Sequence, residues 1–433
     1  MTDRESLLLM REEKMQIRCT LINRQIGVVL LAVFLLTGCA FSDLKDDLAE
    51  QKTLSFIEGS VILEDFSTAS PIVIGLISGD PQHPTLVNHR VLNSPGSFTF
   101  SVPPDRYRIF AFIDANNDQH YQESEYLSQF MNVDAVESGA KTEVNIVIKA
   151  KTVENLQEQA RKLKSKIKIA GHSKLVTPGT IIDFDSTIFS EENIAMGLWQ
   201  PLNFVKNIPF GLFFMAEYDK KKIPVLYVHG VSGSPVEFKK LIDNLDRSKY
   251  QPCLFYFPSG FPISMIGGAL KMAVDEAQVR YGFKKIVVIA HSMGGLVTRN
   301  YINSLHSKKM EYEIPKYITI STPWGGHDAA QMGLKYAPAV IPVWNDIAPG
   351  STFLENILKS SLPDDTRHYL LFGYQGESSF AGGNSDGVVS IASELRMEVQ
   401  GQATLIRGFD ENHTSILRSK EAVSLVNAIL NND

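Results

Sequence analysis

Ser292, Asp386 and His413 are the residues of this 433-residue chain whose types and settings could do chemistry together. Ser292 lies in Ala290-His291-Ser292-Met293-Gly294-Gly295, between an apolar run from Ile286 to Ala290 and a stretch whose Leu296, Val297 and Tyr301 have helical spacing. A buried strand that turns so sharply into a helix needs small residues around the bend, because neighbouring backbone must pass close by. A serine there is well presented, but it is a weak nucleophile until a base removes its proton. His413, in Asp410-Glu411-Asn412-His413-Thr414, is the candidate base. Asp386, in Asn384-Ser385-Asp386-Gly387-Val388-Val389, is the candidate acid that orients it and stabilises the imidazolium. Asp364 and Asp365 compete for the acid role, but they precede a strand rather than follow one. The turn His229-Gly230-Val231-Ser232-Gly233 and the bend itself supply backbone N–H groups, those of Val231 and Met293, to receive a developing oxyanion. Phosphate binding is the rival use of such a turn, and neither the P-loop string nor the dinucleotide fingerprint is present. His229, His291 and His327 flank these residues and are expected to make structural hydrogen bonds; their spacing supports no metal triad.

For these side chains to meet, strand ends must gather them. Strand-like apolar runs at 223–230, 252–257, 285–290, 317–321, 368–372 and 403–409 alternate with helix-like segments at 265–281, from Gly294 onward and at 420–429. Ser234-Pro235-Val236-Glu237 reads as a helix start, with a cap, a proline at the first position and an acid at the third. The alternation predicts an α/β domain over residues 201–433, a mostly parallel sheet flanked by helices, with ligands at the strand carboxyl ends. An insert at 324–362, rich in apolar residues and proline, includes Trp324, Ile341, Trp344, Phe353 and Leu354. It would either cover an acyl pocket or pack beneath it, and packing is the reading favoured for any single side chain.

AHSMGG (290–295), VHGVSG (228–233), STPWGG (321–326), SDGVV (385–389) and NHTSI (412–416) together resemble the α/β-hydrolases of the bacterial lipase and GPI inositol-deacylase-like group. The order Ser292, Asp386, His413 is the order of that fold. Ala290 stands where the nucleophile elbow has its first glycine, a variation seen in some lipases. The resemblance implies serine ester hydrolysis through an acyl-enzyme, with no cofactor required. An acyltransferase using the same triad is the alternative, and a non-catalytic binding lipoprotein on a hydrolase scaffold is a third reading.

Residues 54–150 have a different character. Short β-forming runs at 60–63, 71–77, 97–102, 107–113 and 143–148 are separated by Gly, Pro, Asn and Asp clusters, which predicts a small antiparallel β-sandwich. Within it Asp114, Asn116, Asp118 and Glu125 fall at positions 1, 3, 5 and 12 of a calcium-type loop. Gln119 stands where the sharp-turn glycine belongs, and a strand rather than a helix precedes the loop. The segment loosely resembles the D-x-N-x-D-G loops of transthyretin-like accessory sandwich domains. A structural Ca²⁺ and a solvated acidic hairpin loop remain the two readings. Residues 151–200 read as a connecting helix, with Val153, Leu156, Ala160 and Leu163 at helical spacing, followed by linker.

At the N-terminus, Arg18 and Arg24 precede an unbroken apolar run from Ile26 to Leu36, too short to span a bilayer, so residues 1–38 read as a secretory signal. Leu36-Thr37-Gly38-Cys39 resembles the bacterial lipobox, which implies lipidation of Cys39 and a polar tether at 39–53. Met15 would give the signal a more typical start. Several acyl chains on one cysteine anchor stably where one is marginal. In such lipoproteins an Asp after the Cys favours inner-membrane retention; Ala40 occupies that position, which implies the outer membrane of the bacterial envelope. The other cysteines are Cys19 and Cys253, too few for a disulfide framework or a zinc site. With 42 Lys plus Arg against 48 Asp plus Glu, the chain has no basic footprint for nucleic acid. Its expected partners are an ester or lipid-like substrate and the membrane.

Overall fold

The computed structural model describes residues 40–78, 85–116, 118–150, 168–169, 174–305, 311–376 and 383–432. The signal segment with Cys39 and the expected connecting helix at 153–163 lie outside them. The architecture below is that of the unit Asp47–Asp433. Among the described residues no helix is long and apolar enough to cross a membrane.

Residues 47–51, expected as part of a polar tether, are helical. Asp47 explains their placement. Its carboxylate accepts from the backbone N–H of Leu202 at 3.1 Å and of Asn203 at 2.8 Å, in the first turn of the helix Pro201–Asn207. Gln200 at that helix start makes no side-chain cap, so Asp47 satisfies the orphan donors and meets the positive end of the helix dipole.

The strands β1 (Ser55–Glu64), β2 (Ile72–Ser78), β3 (Thr85–Leu92), β4 (Gly96–Val102), β5 (Asp105–Ile113), β6 (Met131–Ala135), β7 (Lys141–Glu143), β8 (Ile146–Lys149) and β9 (Lys168–Ile169) build two sheets. The β4 sequence shows why. Phe98, Phe100 and Val102 are buried while Ser97, Thr99 and Ser101 face solvent, a period-two pattern with one apolar face. β4, β7 and β8 pair with β1 in the first sheet, and the second runs β6-β5-β2-β3-β9. Ile57, Phe100 and Ile146 of the first sheet share one core with Ile74, Ile109 and Val133 of the second. A two-sheet sandwich is therefore present, with β3, β6 and β9 in addition to the strands read from sequence; it is not wholly antiparallel as expected, because β7 and β8 pair with β1, and β9 with β3, in parallel.

The strands β10 (Thr180–Ile181), β11 (Gly211–Phe214), β12 (Ile223–Val228), β13 (Tyr250–Tyr256), β14 (Val287–His291), β15 (Lys316–Ile320), β16 (Arg367–Gly373) and β17 (Ala403–Phe409) form one eight-stranded sheet. Its order is β10-β11-β13-β12-β14-β15-β16-β17, parallel except where β11 meets β13. Tyr227, Ile289 and Ile318 on one face pack with Leu241 and Ile242 and with Val423, Val426 and Ile429 of the helix Lys420–Asn431. Each such aliphatic side chain, fully buried, contributes roughly 1.5–3 kcal/mol. The helices Ile263–Tyr281 and Met293–Asn303 stay out of that cluster and cover the other face, where Thr298 Oγ1 meets the Tyr317 hydroxyl at 3.0 Å. The helix Ile263–Tyr281 buries Ile266, Leu270, Ala273, Val274 and Ala277, a single stripe, and stops at Gly282 in a left-handed conformation. This is the α/β-hydrolase architecture expected from the motifs, and it brings the ends of β12, β14, β16 and β17 to one carboxyl edge.

Candidate active site

The bend at Ser292 is built by strain and by absent side chains. β14 is buried throughout, and the helix Met293–Asn303 begins one residue after Ser292. Ser292 takes φ 52°, ψ −130°, a conformation that costs on the order of 1–3 kcal/mol and persists only where packing over-determines it. That packing is visible in two glycines. A Cβ on Gly294 would lie 2.2 Å from the Val228 carbonyl oxygen, and one on Gly295 would lie 2.1 Å from Thr322 Oγ1. The helix can approach β12 and the end of β15 only because both positions lack side chains. Ser232 (φ 50°), in the turn after β12, and Ser321 (φ 49°), just after β15, also take a positive φ.

Asp386 and His413 are brought together. His413 Nδ1 lies 2.5 Å from Asp386 Oδ2, and the His413 backbone N–H donates to the Asp386 carbonyl at 2.8 Å. The other carboxylate oxygen accepts from the N–H of Val388 at 2.9 Å and of Val389 at 2.7 Å. Asp386 is wholly buried. Burial works against its charge, yet the His413 bond and the Val389 and Val388 amides outweigh it and hold the carboxyl below its ordinary value. Burial also holds His413 below the ordinary histidine value, against the pull of Asp386. The resting pair is a carboxylate beside a neutral imidazole protonated on Nδ1, which leaves Nε2 as a lone-pair base. Among the described residues no hydrogen bond joins the Ser292 hydroxyl to His413; catalytic contacts of this kind often tighten only with substrate bound. Asp364 and Asp365 sit exposed before β16, at the opposite end of the strand from Asp386.

The expected oxyanion turn follows β12. A Cβ on Gly230 would stand 3.1 Å from Ser292 Oγ, which measures how closely the turn lies against the bend. Ser259 Oγ accepts from Ser232 N–H at 3.1 Å and fixes the turn. Among the described residues the N–H groups of Val231 and Met293 are spent on no hydrogen bond.

The flanking histidines each make structural bonds. His229, wholly buried, stacks on Phe257 with ring centroids 4.0 Å apart and contacts the Gly230 carbonyl at 2.9 Å; burial pushes it down to about 4. His327 accepts from Ala329 N–H at 3.1 Å and caps the helix Asp328–Tyr336. His291 reaches Glu237 Oε1 with Nδ1 and the His413 carbonyl with Nε2, both at 2.9 Å. Glu237 is a correction to the sequence reading. Ser234 makes no side-chain cap, and Glu237 turns away from the helix start to His291, because a buried imidazole that can carry charge offers a stronger partner than a neutral amide.

Glu394 escaped the sequence reading. It is 1% exposed and faces Asp386 and the Ser321 hydroxyl, with neither oxygen in a well-formed hydrogen bond. Burial, reinforced by the Asp386 charge, pushes it up to about 10, so it is a neutral acid at pH 7. No periodicity marks it in Ser390-Ile-Ala-Ser-Glu394. In the insert, Trp324, Ile341 and Leu354 are buried, and the Trp344 ring fills the space a Gly333 side chain would take, so packing describes these residues.

The acidic loop of the sandwich is arranged otherwise. The two oxygens of Asp114 accept from the N–H of Asp118 at 3.0 Å and of Gln119 at 2.9 Å. Those of Glu125 accept from Ala115 and Gln122 at 2.8 and 2.9 Å. Asp118 accepts from His120 N–H, and Asn116 from Asp118 N–H. Gln119, at φ 61°, sends its amide to Glu276 Oε1 at 2.9 Å on the helix Ile263–Tyr281. A Ca²⁺ here would have to displace backbone N–H donors. Among the described residues no group of three or more His, Cys, Asp or Glu is placed to hold a metal ion.

The family model for lecithin:cholesterol acyltransferase matches residues 268–338, the stretch that contains Ser292. No curated protein matches the chain in sequence. Among solved structures, the mature lipase BlEst2 of Bacillus licheniformis is similar with a TM-score of 0.40, at 16% identity over 51% of this chain and 97% of its own. The product of lin2722 from Listeria innocua gives 0.38 at 16% identity, over 49% and 95%. Lipase B of Aspergillus fumigatus gives 0.40 at 15% identity, over 52% and 56%.

Proposed function

We propose that this protein is a membrane-anchored serine hydrolase that cleaves carboxylic esters through Ser292, His413 and Asp386. The observation that carries the reading is the 2.5 Å Asp386–His413 contact beside a serine in a strained bend with two unspent N–H groups. His413 Nε2 takes the Ser292 proton as Oγ attacks the ester carbonyl. The N–H groups of Val231 and Met293 receive the oxyanion, each worth about 3 kcal/mol in the transition state. His413 returns the proton to the leaving alcohol, and water then clears the acyl-enzyme by the same steps. Cys39, in its lipobox-like setting, is the proposed anchor, and Ala40 favours the outer membrane.

An acyltransferase is the second reading, favoured by the lecithin:cholesterol acyltransferase match across the bend. Labelling with a fluorophosphonate tests the shared chemistry: Ser292 is expected to carry the label, and an unlabelled folded protein would point to the scaffold reading instead. Product analysis with p-nitrophenyl esters, with and without an alcohol acceptor, then separates free acid from transferred acyl product.

A further inference from the structure

We infer that His291 is a positioning residue for this reaction: held doubly protonated by Glu237, it pins the main chain of His413 and so sets the base against the bend. The inference rests on the triad reading above. Both ring nitrogens of His291 face acceptors, Glu237 Oε1 and the His413 carbonyl oxygen, each at 2.9 Å. A carbonyl has no proton to give, so Nε2 carries one. An ionised carboxylate only accepts as well, so Nδ1 carries the second, and the ring is an imidazolium in a charge-assisted bond.

His291 is 3% exposed, so water does not substitute for either partner. The groups that face it are Glu237 from the segment Pro235–Phe238, neutral His229 at the end of β12, His413, and Asp386. Burial is the largest influence and opposes the His291 charge, but the Glu237 carboxylate, the His413 carbonyl and Asp386 together overcome it, and the ring is raised above its ordinary value. The charged form, and with it the charge-assisted bond to Glu237, is in force below the ordinary histidine value and is lost as pH rises through the raised one, while the Nε2–H bond to the His413 carbonyl persists in the neutral ring.

The bond also ties together three loops that the reaction needs. Glu237 Oε2 lies 2.8 Å from where a Gly233 Cβ would stand, against the oxyanion turn. His291 belongs to the bend, and its ring centroid is 4.8 Å from that of His413. A neutral His291 protonated on Nε2 would aim a lone pair at the Glu237 carboxylate, loosen that contact and release the turn from the base.

Imidazole ¹⁵N NMR on the wild-type protein, with kcat against pH for wild type and Glu237→Gln, tests this. Both His291 nitrogens are expected to stay protonated to higher pH than those of a free imidazole, and wild-type kcat to fall as His291 titrates there. In Glu237→Gln the amide N–H can donate to Nδ1 of a neutral ring. The bond that remains is neutral rather than charge-assisted, so the alkaline fall disappears and kcat drops about tenfold with KM little changed, as expected for a small misplacement of the base. A wild-type His291 that loses a proton at or below the ordinary histidine value, or superimposable profiles for the two proteins, overturns the inference. A wild type that fails to label at Ser292 overturns the triad reading and this inference with it. A labelled wild type with neutral His291 overturns this inference alone.

Discussion

The acidic loop at 114–125 and the bend at 290–295 both carry a non-glycine residue at positive φ, Gln119 at 61° and Ser292 at 52°, and both read in sequence as spaced motifs. They differ in where their partners come from. Every bond to the Asp114 and Glu125 carboxylates is made within ten residues of chain, by backbone N–H groups of the loop itself. The bend draws on β12, β15, β16 and β17, and it leaves the Val231 and Met293 N–H groups unspent. A motif that satisfies itself locally stabilises a turn. One assembled from distant strands keeps donors free for a ligand, and strain there is held by packing from outside.

Removing the nucleophile should widen that contrast most. Ser292→Ala is expected to lower ester turnover on the order of 10⁶-fold with the melting temperature nearly unchanged, measured with p-nitrophenyl esters. Asp386→Asn should cost about 10⁴-fold by holding His413 in the wrong tautomer; intact turnover in that variant would remove Asp386 from the triad. The loop should respond in the opposite currency. Asp114→Ala removes the carboxylate that accepts from the Asp118 and Gln119 N–H groups, leaving Asp118 its Asn116 partner, so about 2 kcal/mol of stability should be lost in urea melts while kcat holds. A loop variant that lowered kcat at unchanged KM would break the comparison.

The pH profile offers a finer test. Because His413 is held below its ordinary value of 6.5, its base form persists into mildly acidic solution. The acid limb of kcat/KM should therefore fall below pH 6.5, and a limb above that value would contradict the neutral resting imidazole. The smallest effect expected is that of Ca²⁺. With the Asp114 and Glu125 oxygens already engaged, millimolar Ca²⁺ should leave the melting temperature unmoved, and a rise would restore the ion-binding reading of the loop.

Much of this was legible because buried parallel strands write themselves as apolar runs. The segments at β12 to β17 stand out between polar turns, and with them the strand ends that hold Ser292, Asp386 and His413. The edges were less visible. β10 is two residues long, and β3 interleaves Asn88, His89 and Arg90 among its apolar residues, which blurs the alternation. Glu237 misled for a different reason. Its local setting matches a helix start, while its partner His291 lies 54 residues away, and no local pattern encodes a long-range ion pair. Glu394 is hidden in the same way, its surroundings made by Ser321 and Asp386 from other segments.

The position of His413 after the outermost strand β17 has a consequence for synthesis. Ser292 precedes His413 by 121 residues, so on this reading the nucleophile leaves the ribosome long before its base. At about 5–20 residues per second, that interval is roughly 6–24 seconds. Throughout it the nascent chain carries a bend without a proton acceptor, chemically silent toward esters around it. On the proposed function, reactivity arrives only when β17 docks on the sheet and brings His413 to the bend, which makes that docking the step that arms the serine.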